Sequence, residues 1–385
     1  MTGRQYNRVF VAGLTATRED VAREDDQMSA TAPITLQAAY ATFDEALEQL
    51  AAYGPDLRNG MTSHAPMVAE ALCAIGRPDA VPPWIERYRT GMLPWPAAQA
   101  RLTADTWRDA LGDERRVADW RAQFSAELRD AAWPLVLDRW VARLAPGVCA
   151  AATHGVIRVG HAVRGLTVEH TAPRLQELAD ALSSWAATYQ ELPTRFGAVQ
   201  AHATPRRALE HVSIVPAAQR RFSGTITGSL AALAEWPAFA PVIGLLDLSG
   251  DPAALVAALR DLCIELYLAN ARDVLTSIVF VHGVTAVSAV GVLLPHLCDD
   301  TARRAVRYAW QASCGLYAAF GTTIASRAAP VSDASTAALL ECAVAHGDEH
   351  VIKFAAACLD HRATRAGAAA HAAVQHALTA LPRPH

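Results

Sequence analysis

Residues 275–295 read LTSIVFVHGVTAVSAVGVLLP, and none of their side chains is charged. An apolar run of this length is long enough to cross a bilayer as a helix. However, the chain contains no second run of this kind, and this one also carries polar side chains, namely Thr276, Ser277, His282, Thr285 and Ser288. We therefore predict a helix that is buried on all sides within an all-α protein, with no membrane partner.

Helical periodicity extends from this run in both directions. Apolar residues three and four apart recur, for example at Phe43, Ala46, Leu47 and Leu50, and strict alternation over a strand length is rare. Glycine and proline separate the periodic runs. The pattern predicts an all-α fold with a single large multi-helix domain over residues 36–385, and a two-lobed arrangement is the alternative. Residues 1–35 are polar, and we predict a poorly ordered segment there.

The composition limits the class of partner. A chain of 385 residues with 52% hydrophobic and 19% charged residues can bury a large apolar core. The net charge of −4 and the scattered arginines offer no basic surface, so we predict no nucleic-acid partner. Residues 1–6 lack the apolar run of a secretory signal, which favours a cytoplasmic protein. The seven cysteines include no Cys-x-x-Cys pair, which predicts reduced thiols.

Lys353 is the only lysine among the 34 basic side chains of the chain. An arginine stays protonated in proteins, whereas a desolvated amine can lose its proton. Gly347 predicts the end of one helix and Asp348 the N-cap of the next, which puts His350 and Lys353 on one face of its first turns. The helix dipole and burial both lower the pKa of such an amine. A neutral Lys353 could add carbon dioxide and become a carbamate, an anionic ligand; the alternative is an ordinary surface lysine.

Five of the 14 histidines lie in apolar helical contexts: His64, His154, His161, His282 and His350. Each one alone is more often a hydrogen-bonded core residue than a ligand. Together with the single lysine they favour a buried metal site between helices. His154 and His161 lie seven residues apart, roughly 10.5 Å along a helix, so they line one cavity more easily than they bind one ion. Gly283 predicts a close approach to the backbone beside His282.

Several motifs of common enzymes are absent. The sequence contains no His-Glu-x-x-His, Glu-x-x-His, Gly-x-Gly-x-x-Gly, phosphate-binding P-loop or Gly-x-Ser-x-Gly. Because each spacing builds a particular site, their absence argues against zinc proteases, di-iron carboxylate enzymes, dinucleotide-binding folds and the common serine hydrolases.

Four short segments, spread over most of the chain, carry a resemblance to a known family. They are residues 59–76 (NGMTSHAPMVAEALCAIG), 154–166 (HGVIRVGHAVRGL), 280–286 (FVHGVTA) and 350–354 (HVIKF). These segments resemble the questin oxidase-like family, whose fungal members modify anthraquinone-type polyketides. The resemblance implies an all-helical oxygenase that opens or modifies a quinone-like polyketide ring in natural-product biosynthesis. The reaction that the resemblance implies is a dioxygenation or a Baeyer–Villiger-type insertion.

The resemblance also implies a cofactor and its ligands. The family uses a mononuclear non-haem iron, and the implied Fe(II) ligands here are His64, His154, His282, His350 and carboxylated Lys353. Imidazole nitrogens suit iron, and five protein ligands leave one position of an octahedral ion open. The implied partners are a polycyclic aromatic substrate and O2. A reductant such as NADPH leaves no signal in the sequence.

Residues 154–166 depart from the fungal pattern at two positions. Arg158 and His161 stand where a histidine and an aromatic residue are expected, so His161 is the reserve candidate for the fourth histidine ligand. We predict that Arg158 or His161 stabilises a developing anion or moves a proton during catalysis. The alternative for Arg158 is a structural ion pair.

Two other classes of function stay open at this level. In the first, Lys353 is an unmodified Schiff-base or general-base residue of a metal-free enzyme. In the second, the chain is a helical protein that binds a small molecule, and its histidines tune the affinity for that ligand.

Overall fold

The computed structural model describes residues 35–384 except 198, 223, 323–333 and 360–366. Within these ranges the chain forms 15 α-helices and one sheet of two strands, which confirms the predicted all-α fold in a single domain. The predicted N-terminal segment, residues 1–35, lies outside the described residues apart from Thr35. The helices are α1 (Leu36–Leu50), α2 (Ala65–Ala74), α3 (Val81–Tyr88), α4 (Val117–Asp130), α5 (Trp133–Leu144), α6 (His154–Val168), α7 (Ala172–Ala187), α8 (Pro205–Leu209), α9 (Ile226–Ala231), α10 (Pro252–Asn270), α11 (Val274–Leu293), α12 (Asp299–Phe320), α13 (Thr336–His346), α14 (Glu349–Leu359) and α15 (Ala368–Ala380).

The two strands form a small antiparallel sheet, although α2 and α3 lie between them in the chain. Strand β1 (Tyr53–Leu57) pairs in antiparallel fashion with β2 (Met92–Pro94). The backbone N–H of Ser63 donates to the carbonyl of Pro55 over 2.7 Å. This bond ties the chain just before α2 to strand β1 and thereby fixes the entry into α2.

Helix α11 contains most of the apolar run at residues 275–295. The Asp273 carboxylate accepts the backbone N–H of Thr276, and the Thr276 hydroxyl accepts the backbone N–H of Asp273, so a capping box starts the helix. The span Val274–His296 is long and apolar enough to cross a membrane, but 72% of its most apolar part is buried inside the protein. The predicted buried helix is confirmed, because α6, α10, α12 and α14 cover it.

Glycine allows α6 and α11 to approach closely. A Cβ atom on Gly160 would lie 2.8 Å from the Cα of Ala289 on α11, which is closer than real Cβ contacts. Beside Gly283 a Cβ would instead meet the Leu316 side chain at 3.6 Å, an ordinary contact. The close backbone approach predicted at Gly283 is therefore wrong, and the close contact lies at Gly160.

Four helices from distant parts of the chain form a closed ring. Helix α2 contacts α6, α6 contacts α11, α11 contacts α14, and α14 contacts α2. The predicted start and end signals around α14 are also confirmed. Gly347 ends α13 with a positive φ of 83°, and the Asp348 carboxylate accepts the backbone N–H groups of His350 and Val351 at 2.9 and 3.0 Å.

Candidate metal centre

Each helix of this ring, or the residue that caps it, contributes one histidine to a single cluster of side chains. The distance between ring centroids is 4.6 Å from His64 to His154 and 4.6 Å from His154 to His282. It is 5.4 Å from His282 to His350 and 4.8 Å from His350 back to His64. The four imidazoles therefore follow the order of the helices that carry them. We call His64, His154, His282 and His350 the histidine ring.

Three members of the histidine ring lie at helix N-termini. His64 is the N-cap of α2, and its backbone N–H donates to the Tyr88 hydroxyl over 2.9 Å. His154 is the first residue of α6, and His350 is the second residue of α14. His282 lies in the middle of α11. A helix N-terminus is positively polarised, so it favours neutral imidazole over imidazolium and favours anions nearby.

An unusual backbone turn leads into His154. Ala151, Ala152 and Thr153 all have positive φ angles, of 46°, 55° and 75°. This conformation costs L-residues other than glycine roughly 1–2 kcal/mol each. The turn places the Ala151 carbonyl against Nδ1 of His154, which fixes the ring and directs Nε2 away from that carbonyl. The sequence contains no glycine that signals this turn, so sequence analysis missed it.

Burial keeps three members of the histidine ring neutral, namely His64, His154 and His282. Burial is the main cause that lowers the pKa of His154, to about 3, and the Lys353 charge adds to it. Burial likewise lowers the pKa of His64 and of His282 well below the usual value, with Lys353 and the other histidines as further causes. Neutral imidazoles carry lone pairs, which is the state that binds a metal ion.

Several buried ring nitrogens of this cluster lack a hydrogen-bond partner in the described part of the chain. Among the described residues, Nε2 of His154 and both ring nitrogens of His282 are buried without a hydrogen-bond partner. An unsatisfied buried polar atom costs about 1–3 kcal/mol. Several such atoms at one point indicate a site that is built for a ligand.

Lys353 completes the cluster. Its side chain is 1% exposed, and its Nζ atom lies 3.3 Å from Nδ1 of His64. Burial lowers the pKa of Lys353 to about 8, and the acids Glu349 and Asp348 only partly oppose this effect. A substantial fraction of the amine is therefore neutral near pH 8, as the sequence predicted.

Glu349 is a neighbour of the cluster that sequence analysis did not single out. Its carboxylate lies 3.8 Å from Nδ1 of His64, and the donor atoms of His64, Glu349 and His350 all lie within 4.8 Å of one another. The signal in the sequence was only its position beside His350. Its carboxylate is a source of negative charge next to the imidazoles.

The other two predicted site residues lie apart from the histidine ring. Arg158 forms a buried bidentate ion pair with Glu177, at 2.7 and 2.8 Å, which is the structural alternative weighed for this residue. Nδ1 of His161 lies 2.6 Å from the carboxylate of Glu70, and His161 has no ring contact with the four imidazoles in the described part of the chain. The structure thus brings His154, and not the reserve candidate His161, into the ring. A catalytic role for Arg158 stays a prediction.

A cavity of about 710 Å³ opens beside the cluster. Its volume lies in the range of small-molecule sites. Lys353 and His161 both line it, and its apolar wall comes mainly from α10, α11 and the following turn: Val256, Ala257, Val292, Leu294 and Pro295. A flat apolar molecule in this cavity therefore lies next to Lys353.

The fold and this cluster define a class: an all-α protein with a candidate mononuclear metal centre beside a large apolar cavity. The family model described as Questin oxidase-like matches residues 85–358, which is most of the chain, so the chain belongs to the questin oxidase-like family. His154, His282, His350 and Lys353 lie within the matched residues, and His64 precedes them. No curated protein matches the chain significantly. The family indicates an oxidoreductase of the oxygenase kind that acts on anthraquinone-type polyketides.

Proposed function

We propose that this chain is a non-haem iron oxygenase that opens or modifies the ring of an anthraquinone-like polyketide. The observation that carries the proposal is the convergence of four buried imidazoles and a buried lysine beside a large apolar cavity. Family membership supports the same class of substrate. The proposed partners are this aromatic substrate and O2, and no residue is assigned to NADPH.

The residues at the site fit an iron ion. His64, His154, His282 and His350 would supply nitrogen ligands of the kind that iron accepts. The unpartnered nitrogens of His154 and His282 would gain a partner. An anionic ligand would come from Lys353, because a neutral amine can add carbon dioxide and form a carbamate. When bound, the iron supplies the redox chemistry for reaction with O2.

The chain itself binds and orients the substrate. The apolar wall of the cavity excludes water from the face of an aromatic ring, and it strengthens electrostatic interactions within the site. Lys353 lies at the junction of the cavity and the histidine ring. A ring that fills the cavity is thereby held beside the proposed iron site, which removes the entropic cost of a chance encounter.

Iron content of two matched histidine variants tests the metal proposal. We expect wild-type protein loaded anaerobically with Fe(II) to hold stoichiometric iron after desalting, and His282→Ala to lose it. His202→Ala is the control, since His202 stacks on His211 away from the site at a centroid distance of 4.2 Å. Equal iron contents in wild type and His282→Ala would contradict the proposal.

A second pair of variants separates the two sources of negative charge. If the Lys353 carbamate is the anionic ligand, Lys353→Arg loses iron while Glu349→Gln keeps it. The opposite result would assign that ligand to Glu349. Turnover of a hydroxyanthraquinone with O2 uptake should follow the iron content in both variants.

A metal-free lysine enzyme is the second candidate, and the lowered pKa of Lys353 at the cavity favours it. Reduction with borohydride in the presence of a carbonyl substrate distinguishes the two. A covalent adduct at Lys353 in active protein without stoichiometric iron would select the Schiff-base enzyme. Substoichiometric iron without an adduct or O2 uptake would select a binding protein.

A further inference from the structure

Glu70 is a fully buried carboxylate on α2 that the metal proposal does not use. It is 0% exposed and accepts hydrogen bonds from four donor groups of three residues. The Tyr40 hydroxyl donates to it, Arg164 donates through Nε at 2.7 Å and through Nη2, and Nδ1 of His161 lies at 2.6 Å. Such a concentration of donors holds the carboxylate, and with it the His161 ring, in one orientation.

The hydrogen in the bond between Glu70 and His161 belongs to His161. Burial alone would raise the pKa of Glu70, but Arg164 and the bond from His161 outweigh it and lower that pKa to about 2. An ionised carboxylate only accepts hydrogen bonds, so Nδ1 of His161 must carry a hydrogen. In the neutral ring the lone pair then lies on Nε2.

His161 is placed to use this lone pair on a bound molecule. It lines the same cavity as Lys353, and Nδ1 is occupied by Glu70, so Nε2 is the ring nitrogen left for a ligand. His161 lies seven residues after His154 on α6, roughly 10.5 Å along the helix axis. His161 and Lys353 line the same cavity, so a polycyclic molecule that fills it contacts both residues.

We propose that His161 is the base that deprotonates a phenolic hydroxyl of the substrate, with Glu70 as its positioning residue. The O–H bond breaks and an N–H bond forms at Nε2, while the oxygen keeps the electron pair as a phenolate. Glu70 stabilises the resulting imidazolium, and the Arg164 cation on the cavity wall stabilises the phenolate. The step needs no oxidant. This inference rests on the proposed function and adds to it the base that ionises the substrate and the residue that positions this base.

A binding spectrum of the metal-free protein tests the step separately from the iron chemistry. The probe is a β-hydroxyanthraquinone, buffered below the solution pKa of its hydroxyl, because its phenolate absorbs at longer wavelength than the phenol. Burial lowers the pKa of His161 to about 4 in the empty protein, and a phenolate beside the ring raises that pKa, so we expect the phenolate to appear at a lower pH in wild-type protein than in His161→Gln. Glu70→Gln should require a higher pH for the phenolate to appear. Tyr40→Phe keeps His161 and Glu70 but removes one hydrogen bond to the Glu70 carboxylate, so it measures the contribution of that bond.

Three results would overturn the proposal. They are phenolate formation at the same pH in wild type and in His161→Gln, phenolate formation by neither protein below the solution pKa of the probe, and loss of the phenolate in His296→Gln, a variant of the other histidine on the cavity wall, instead of in His161→Gln. Iron-loaded His161→Gln should keep its iron and lose about 100-fold in kcat/KM, the usual size of a general-base effect. Absence of iron from wild type would contradict the proposed function. The binding spectrum of the metal-free protein would still test whether His161 deprotonates the phenol.

Discussion

At the scale of single residues, the site combines groups that stabilise the fold poorly. Among the described residues, no carboxylate forms an ion pair with the buried Lys353, and its polar contact in the cluster is another nitrogen, Nδ1 of His64 at 3.3 Å. A buried amine of this kind reduces the stability of the empty protein, because desolvation disfavours its charge. Such a cost is common at functional sites.

Replacement of Lys353 by an apolar side chain of similar shape should therefore stabilise the metal-free protein. The pKa of Lys353 falls from 10.5 to about 8, so the native state disfavours the charged amine at neutral pH. We expect Lys353→Met to raise the free energy of unfolding by about 1–3 kcal/mol at pH 7. Urea denaturation of metal-free protein measures this change, and a destabilised Lys353→Met protein would contradict it.

His161 gives the metal-free protein a dependence of stability on pH. Burial lowers its pKa from 6.5 to about 4, although Glu70 opposes the effect. Because the unfolded chain binds this proton more readily, the contribution is complete above pH 6.5 and is lost as the pH falls towards 4. We expect His161→Gln to flatten the fall in unfolding free energy in this window by about 1–3 kcal/mol. The prediction would be wrong if the unfolding free energies of wild type and His161→Gln fell equally between pH 6.5 and pH 4.

At the scale of elements, the backbone turn that leads into His154, the first residue of α6, is strained. The start of α14 was readable in the sequence, because Asp348 and Gly347 are standard signals. The left-handed turn was not readable, because Ala151, Ala152 and Thr153 carry no preference for positive φ. The surrounding structure imposes this conformation, and such strain concentrates at functional sites.

Glycine should relieve this strain. Ala151→Gly is expected to raise the free energy of unfolding by about 1 kcal/mol. Glycine has no steric penalty at positive φ, and this gain exceeds the cost of the greater flexibility that glycine gives the unfolded chain. Ala258, an exposed residue in the middle of α10, is the matched control. There the same change should lower stability by about 0.5–1 kcal/mol. Equal effects at the two positions, measured by thermal or urea unfolding, would show that the turn is unstrained.

The contact between α6 and α11 sets the distance between two members of the histidine ring. Gly160→Ala would put a Cβ against the backbone of Ala289 and should lower the free energy of unfolding by about 1–3 kcal/mol. Gly283→Ala, in the interior of α11, has room and should raise it by up to about 1 kcal/mol. A tolerated Gly160→Ala together with a damaging Gly283→Ala would reverse this assignment.

At the scale of the whole molecule, the helical fold and the identity of the ring histidines were accessible from the sequence, but their convergence was not. Apolar spacing and the start and end signals depend on local residues, and these predict helices directly. The ring of α2, α6, α11 and α14 instead depends on contacts between distant segments. The family resemblance supplied the ligand set, and the structure adds that these residues meet.

Glu70 shows what local reasoning leaves out. It is the single acid in the apolar helix α2, APMVAEALCA, and that contrast was a usable signal. Its partners Tyr40, His161 and Arg164 come from two other helices, α1 and α6, so no spacing along the chain reveals them. A cytoplasmic location and the absence of membrane and nucleic-acid partners stay predictions from composition.

The central claim is that an iron ion binds among the four imidazoles with a carboxylated lysine as its anionic ligand. Anomalous diffraction at the iron absorption edge, from crystals loaded with Fe(II) in bicarbonate buffer, tests it most directly. We predict an iron peak between His64, His154, His282 and His350, with electron density that continues from Nζ of Lys353 to the metal. An iron-loaded crystal with no anomalous peak in the histidine ring, or a peak with an unmodified Lys353 amine, would contradict the claim.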